Sequence, residues 1–93
     1  MPEDPAALSV LCSSLRKLGK PEEALERTKD YKYHNAALLT SRAAAMCDLG
    51  LWKEAKHEVC IALAISKDDS EKAEVFNVVK RIKDAAPYLY PNT

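Results

Sequence analysis

The chain contains two matching stretches, Leu18-Gly19-Lys20-Pro21-Glu22-Glu23-Ala24 and Leu49-Gly50-Leu51-Trp52-Lys53-Glu54-Ala55. They hold the only two glycines of the sequence, 31 positions apart, and each glycine follows one apolar-periodic segment and precedes another. Helices commonly end on a residue in the left-handed conformation, which glycine adopts without steric cost. Each stretch therefore predicts a helix, a tight turn and a second helix, and the pair predicts an internal repeat.

Start and stop signals mark the helices around the first turn. Asp4 followed by Pro5 is typical of an N-cap and a first helical residue. The leucines that follow recur at spacings of three and four and form one helical face: Leu8, Leu11, Leu15 and Leu18. Pro21 is expected to begin a short second helix that fades after Asp30.

The second turn lies between a third and a fourth predicted helix. Residues 31–35 form the connector, and Asn35 is expected to cap the third helix. The fourth helix is expected to run from near Leu51 to near Lys67, with Trp52 as a packing anchor at its start. The second hairpin is therefore longer than the first.

The last part of the chain predicts a fifth helix and a tail. Asp68 and Glu71 have the spacing of a capping box, in which the aspartate accepts from an amide and the glutamate reaches back. Apolar residues then recur at helical spacing until Pro87 stops the helix: Val75, Val78, Val79, Ile82 and Ala86. Residues 88–93 are aromatic enough to cover apolar surface, so we expect the tail to fold back or to dock on a second copy. The intramolecular contact is favoured because it avoids the translational entropy lost on association.

Composition excludes several classes of protein. Among 93 residues, 14 basic side chains balance 14 acidic ones, so the chain has no positive excess for nucleic acid or anionic lipid. No apolar run approaches the roughly 18 residues of a membrane span, and the acidic start does not resemble an export signal. The three cysteines, Cys12, Cys47 and Cys60, form no CxxC pair and no even set. These features favour a single small domain in the cytoplasm.

The second repeat resembles the tetratricopeptide repeat (TPR), a helical hairpin of about 34 residues. Its matching positions are Leu39, Ala43, Met46, Gly50, Ala55, Val59 and Ala62. Arg42 departs from the pattern, although an Asn-Arg-Ala variant at this place is familiar in chaperone-associated TPRs, and Lys67 replaces a terminal proline. The first repeat matches at Leu8, Leu11, Cys12, Leu15, Gly19 and Ala24. That repeat is three residues short, and Thr28 replaces a large apolar residue.

The resemblance implies an all-α fold, a right-handed superhelix of about five antiparallel helices built from two hairpins and a C-terminal capping helix. Stacking of the two hairpins and the capping helix buries the apolar faces that a single hairpin would expose to solvent. The resemblance further implies that the whole chain, residues 1–93, is one TPR-like domain. Its parts are repeat one at 4–34, repeat two at 35–69, the capping helix at 70–86 and the tail at 87–93.

No residue pattern predicts catalysis, a metal or a cofactor. His57 begins a sequence like the zinc-binding HExxH helix, but Ile61 stands where the second histidine is needed, so His57 is expected on the surface. Cys12 and Cys60 occupy positions that suit small buried hydrophobes, whereas Cys47 falls on the side of the expected groove. With one glycine per repeat, no phosphate-binding loop can form.

In TPR proteins the first helix of each hairpin forms the concave surface on which peptides lie. Carried over by position, this rule gives twelve candidate partner-binding residues: Ser9, Ser13, Arg16, Lys17, Thr40, Ser41, Ala44, Cys47, Asp48, Glu74, Asn77 and Arg81. Chaperone-binding TPRs also clamp a C-terminal carboxylate with lysine, asparagine and arginine. The corresponding positions here are Ser9, Ser13, Ser41, Glu71 and Val75, so no clamp is expected.

The sequence therefore predicts a non-catalytic adaptor, a monomer or weak homodimer that binds a peptide or helix of an unidentified partner protein on its concave face. The alternative is a structural or self-associating end segment of a larger, multidomain protein. A small enzyme is a third hypothesis, with no catalytic constellation to support it.

Overall fold

The computed structural model describes residues 4–30 and 35–91, and all regular structure within these ranges is helical. The elements are α1 Pro5–Lys17, α2 Pro21–Arg27, α3 Ala36–Asp48, α4 Trp52–Ile65, α5 Asp69–Ala85 and a 3₁₀ turn, Pro87–Leu89. The predicted all-α class is therefore confirmed. Residues 31–34 of the predicted connector, with His34, lie outside the described ranges. None of the helices within those ranges has the length and apolar character that a membrane span requires.

Side chains cap α1 and α3 at the predicted residues. Asp4 Oδ1 accepts a hydrogen bond from the amide of Ala6 at 3.3 Å, and Asn35 Oδ1 accepts one from the amide of Leu38 at 3.0 Å. Each cap satisfies an amide that has no partner within its own helix. Pro5, at the first position of α1, loses nothing by lacking an N–H there.

The capping box of α5 is formed with a shift of one residue. Asp68 Oδ1 accepts from the amide of Glu71 at 2.8 Å, as predicted. The Glu71 carboxylate, however, accepts from the amide of Lys67 at 2.7 Å instead of the Asp68 amide. Because Lys67 follows the end of α4, this bond ties the linker between α4 and α5 to the first turn of α5.

The two hairpin turns share one backbone geometry. Gly19 and Gly50 have φ values of +77° and +74°, the left-handed region that residues with a Cβ rarely adopt. In both turns the residue after the glycine donates its amide proton to the carbonyl five residues earlier, at 2.8 Å. This pattern satisfies a carbonyl at the end of the first helix and reverses the chain within one residue. The matching sequences therefore produce matching turns.

The second helix is shorter than predicted because it ends at Arg27, three residues before Asp30. The hydroxyl of Thr28 donates to the carbonyl of Ala24 at 2.7 Å and so takes the place of a further backbone hydrogen bond. Thr28 is buried, with 1% of its surface exposed. The predicted large apolar position is thus occupied by a buried polar residue.

Helix α3 is the centre of the molecule. It packs against α1, α2, α4 and α5, and ten of its 13 residues are buried. The main core lies between α3, α4 and α5, and a smaller core between α1, α2 and α3 contains Cys12, Leu15, Ala24 and Ala45. The predicted apolar face of α5 is confirmed, since Val75, Val78 and Ile82 are buried and Val79 is half-buried against the main core. Ala86, which follows the last residue of α5, is also buried.

Two expected core residues are instead on the surface. Leu18 follows the last residue of α1 and is 69% exposed, because the chain already turns away from the helical face at this point. Cys60 is exposed on α4, whereas Cys12 is fully buried as predicted. Cys60 lies on a side of α4 that the helices of residues 4–30 and 35–91 leave exposed, so the prediction of its burial from helical spacing was wrong.

The tail folds back on its own chain. Leu89 and Tyr90 are half-buried against the main core, and Lys56 Nζ donates to the carbonyl of Leu89 at 2.5 Å. The ammonium groups of Lys56 and Lys83 lie 4.7 and 5.2 Å from the centre of the Tyr90 ring, within the range of cation–π attraction. The intramolecular docking favoured by the sequence is confirmed for Leu89 and Tyr90, whereas the Tyr88 side chain is 70% exposed.

Candidate functional site

Helices α1, α3 and α5 form a row, with α3 in the middle, and their side chains meet along one surface. The Ser41 hydroxyl oxygen of α3 lies 3.1 Å from that of Ser9 and 3.2 Å from that of Ser13, both of α1. Hydroxyl groups both donate and accept, so this seryl cluster can bond a partner's backbone as well as its own members. All three side chains are half-buried.

A cluster of three charged residues lies at the end of the same row. Arg16 binds the carboxylate of Asp48 through two hydrogen bonds, Nε to Oδ2 at 2.7 Å and Nη2 to Oδ1 at 3.1 Å. Arg81 donates to Asp48 Oδ1 at 3.1 Å from the other side. Two guanidinium groups therefore share one carboxylate, and the cluster links α1, α3 and α5 with one positive charge in excess.

The electrostatics of this cluster favour the ionised forms of Asp48 and Arg16. Partial burial acts to raise the pKa of Asp48, but the hydrogen bonds and charges of Arg16 and Arg81 outweigh it and hold that pKa below its usual value. The hydrogen bond to Asp48 correspondingly raises the pKa of the Arg16 guanidinium. Because the side chains are 25–43% exposed, the pairs add little stability and mainly fix the orientation of the arginines.

Three more candidate residues are exposed and lie on the same stripes of their helices. Glu74 and Asn77 precede Arg81 by seven and four residues, a spacing that places them along one side of α5. Lys17 follows Ser13 by four residues on α1. We use the term α1/α3/α5 face for the surface made by Ser9, Ser13, Arg16, Lys17, Ser41, Asp48, Glu74, Asn77 and Arg81.

The three remaining candidates, Thr40, Ala44 and Cys47, are buried, with exposed fractions of 8%, 7% and 3%. The Thr40 hydroxyl donates to the carbonyl of Ala36 within its own helix. Ala44 and Cys47 belong to the main core, because α5 packs over this side of α3. The expectation that Cys47 faces a groove is therefore corrected, and these side chains offer almost no surface to a partner.

One polar cluster was missed by sequence reasoning. Arg42 is buried, and its Nε lies 3.5 Å from the carboxylate oxygen of Glu58 on α4. Its Nη1 donates to the hydroxyl of Thr28 at 2.7 Å and to the carbonyl of Leu25 at 3.1 Å. The sequence contained one indication of this cluster: Thr28 and Arg42 are polar, although the repeat pattern has apolar residues at both positions. The cluster joins α2, α3 and α4 in the interior.

No metal centre is formed by residues 4–30 and 35–91, in which no three histidine, cysteine or acidic side chains are placed to share an ion. His57 is exposed, as predicted, and the neighbouring Glu58 points inward to Arg42. The histidine and the glutamate that resembled the start of an HExxH motif therefore face opposite environments, His57 the solvent and Glu58 the interior.

Comparison of the chain with protein-family models, curated protein sequences and solved structures gave no match. A functional assignment for this chain must therefore come from the chemistry and geometry of its own side chains.

Proposed function

We propose that this chain is a non-catalytic interaction module of tetratricopeptide type, which binds a peptide or helix of a partner protein across the α1/α3/α5 face. The architecture proposed is a right-handed stack of two hairpins and a capping helix. The pairing of α1 with α2 and of α3 with α4, together with the contacts of α3 to α1 and α5, supports this architecture.

One observation carries the proposal: polar side chains from three successive helices of one row converge on a single surface. Ser41 contacts Ser9 and Ser13 of α1, and Asp48 joins Arg16 of α1 to Arg81 of α5. A surface built on packed helices holds its side chains in place more firmly than one built on loops. Val10, which precedes Ser13 by three residues and is 66% exposed, adds an apolar contact at the edge of this face.

The chemistry of the face favours a partner recognised along its length over one gripped by its terminus. Serine hydroxyls occupy three of the clamp positions of chaperone-binding TPRs, and Val75, at another, is fully buried in the core. A neutral hydroxyl forms a weaker hydrogen bond to a carboxylate than an ammonium or guanidinium group does. We therefore expect affinity for a peptide to be unchanged when its C-terminal carboxylate is amidated.

Selection of peptides from a random displayed library tests the proposal. The selected peptides are then measured by calorimetry against a face variant, Lys17→Glu with Asn77→Arg, and against a control, Glu22→Arg, whose site is exposed on α2. All three substitutions are at exposed positions, so the fold should persist. We expect the face variant to lose at least about tenfold in affinity, or about 1.4 kcal/mol, and the control to match the parent. Failure to select any peptide, or equal binding by both variants, would count against the assignment.

A self-associating or structural role is the second candidate, and the exposed Phe76 on α5 favours it. This aromatic side chain is 52% exposed although Val75, Val78 and Ile82 of the same helix are buried. Light scattering distinguishes the two roles, because Phe76→Ser would lower the measured mass only if this side of α5 joins two copies. In line with three free cysteines, we propose a cytoplasmic location for the adaptor, as a monomer or weak homodimer without a cofactor.

A further inference from the structure

A depression of about 330 Å³ lies on α4 beside the tail and shares no residue with the α1/α3/α5 face. Lys53, Lys56, His57 and Cys60 of α4 line it, and Leu89 of the tail closes one side. The three basic residues precede Cys60 by seven, four and three positions, so they lie on the same stripe of the helix. We call this feature the Cys60 depression.

The thiol in the depression differs from the other two thiols of the chain in its accessibility. Cys12 and Cys47 are 0% and 3% exposed, and their burial raises the pKa of both thiols. A buried thiol with a raised pKa supplies little thiolate, which is the form that reacts with disulfides. Cys60 is exposed, so a dissolved reagent reaches this sulfur and not the other two.

The charge of the depression determines which reagents it attracts. Two lysines and a histidine line it, and no acidic side chain is among its lining residues in the described part of the chain. The Lys56 ammonium is held in place by the Leu89 carbonyl and by the Tyr90 ring. Positive groups on a concave surface raise the local concentration of small anions. A thiol beside them therefore meets anionic reagents more often than neutral ones.

We propose that Cys60 undergoes thiol–disulfide exchange with small disulfides that carry carboxylates, which the basic residues of the Cys60 depression attract. The Cys60 sulfur, as the thiolate, attacks one sulfur of the disulfide. The bond between the two reagent sulfurs breaks, and a mixed disulfide forms on Cys60. The other half of the reagent departs as a thiolate and takes up one proton, equal to the one that Cys60 lost. Cys60 is oxidised and the departing half is reduced, so the disulfide itself is the oxidant.

The test compares two reagents that differ in charge, oxidised glutathione and the neutral 2-hydroxyethyl disulfide, on the full folded chain. Mass spectrometry follows the rate of addition and locates the modified cysteine. The rate of addition of oxidised glutathione is divided by the rate of addition of 2-hydroxyethyl disulfide, because this rate ratio cancels differences in the intrinsic reactivity of the thiol. We expect one adduct, on Cys60, and no adduct on Cys60→Ser.

Two charge variants then test the role of the basic residues. Lys53→Gln with His57→Gln should lower the rate ratio at least about threefold, and added salt should lower the ratio of the parent. Lys72→Gln with Lys80→Gln, on the exposed side of α5, removes at least as much charge outside the depression and should leave the ratio unchanged. Adducts on Cys12 or Cys47, or equal ratios for the parent and both variants, would overturn the proposal.

Discussion

Replacement of Arg42 by methionine is the sharpest test of the interior of this protein. The Arg42 guanidinium lies 3.5 Å from the Glu58 carboxylate and also donates to Thr28 and to the carbonyl of Leu25. The side chains of Arg42 and Glu58 are only 10% and 11% exposed. Methionine fills much of the same space but removes the guanidinium that pairs with the Glu58 carboxylate.

The magnitude follows from the geometry. At 3.5 Å and an effective dielectric constant of about 20, two unit charges attract by roughly 5 kcal/mol, part of which is offset by the cost of removing both from water. Removing one member of a buried pair typically costs about 3–5 kcal/mol. We expect that loss for Arg42→Met. The double variant Arg42→Met with Glu58→Leu should recover about 1–3 kcal/mol of it, because the buried carboxylate that lost its arginine partner is removed as well.

Urea unfolding measured by the fluorescence of Trp52, the single tryptophan, reports these changes. With a slope of about 1–3 kcal/mol per molar urea, the expected loss moves the midpoint by about 1 M or more. Arg27→Met is the matched control, since Arg27 pairs with Glu23 at 3.6 Å with side chains 56% and 44% exposed, and should cost less than about 1 kcal/mol. Equal losses in Arg42→Met and Arg27→Met, or a double variant less stable than Arg42→Met, would refute the reasoning.

Three further perturbations have defined outcomes. Deletion of residues 88–93 should cost about 1–3 kcal/mol in urea unfolding, because it removes the side chains that cover the main core; an unchanged midpoint would contradict this. Ala55→Leu should cost about 1–3 kcal/mol and lower the melting temperature, since Ala55 is fully buried and an added isobutyl group strains the helix contact; an unchanged melting temperature would indicate a loose contact. The lowered pKa of Asp48 stabilises the fold above the usual aspartate pKa of 3.8, and this contribution is lost as the pH falls through the lower, folded-state pKa. The free energy of unfolding of Asp48→Asn should therefore be lower than that of the parent by up to about 1 kcal/mol at pH 7, and the two values should become equal in acid. A difference in free energy that stays constant with pH would contradict this role of the Asp48 pKa.

Local features of this fold were predictable from sequence, and contacts between distant segments were not. The caps Asp4 and Asn35 and the turns at the two glycines depend on a few consecutive residues, so their side-chain and backbone chemistry specifies them directly. Exposure depends instead on which neighbour covers each sector of a helix. Helix α5 covers Cys47 of α3, whereas Cys60 of α4 is exposed, and helical spacing within one helix predicts neither outcome.

In the candidate site, too, some residues were predicted correctly from the sequence and others were not. The positional rule selected Ser41 and Asp48, and the structure brings both into contact with selected residues of α1. It also selected Thr40, Ala44 and Cys47, which are buried in the folded chain. The Arg42–Glu58 pair was missed because two residues 16 positions apart meet only after α3 and α4 have docked.

The central position of α3 has a consequence for hydrogen exchange. Amide protons exchange with solvent through local opening where neighbours are few and through global unfolding where a helix is surrounded. Helix α3 cannot open without separating from four other helices at once, whereas the seven residues of α2 pack mainly against α1 and α3. In deuterated water the α3 amides would therefore be the last to disappear from the spectrum, at the rate of complete unfolding. The α2 amides would exchange by a faster route in which the central helix retains its protons.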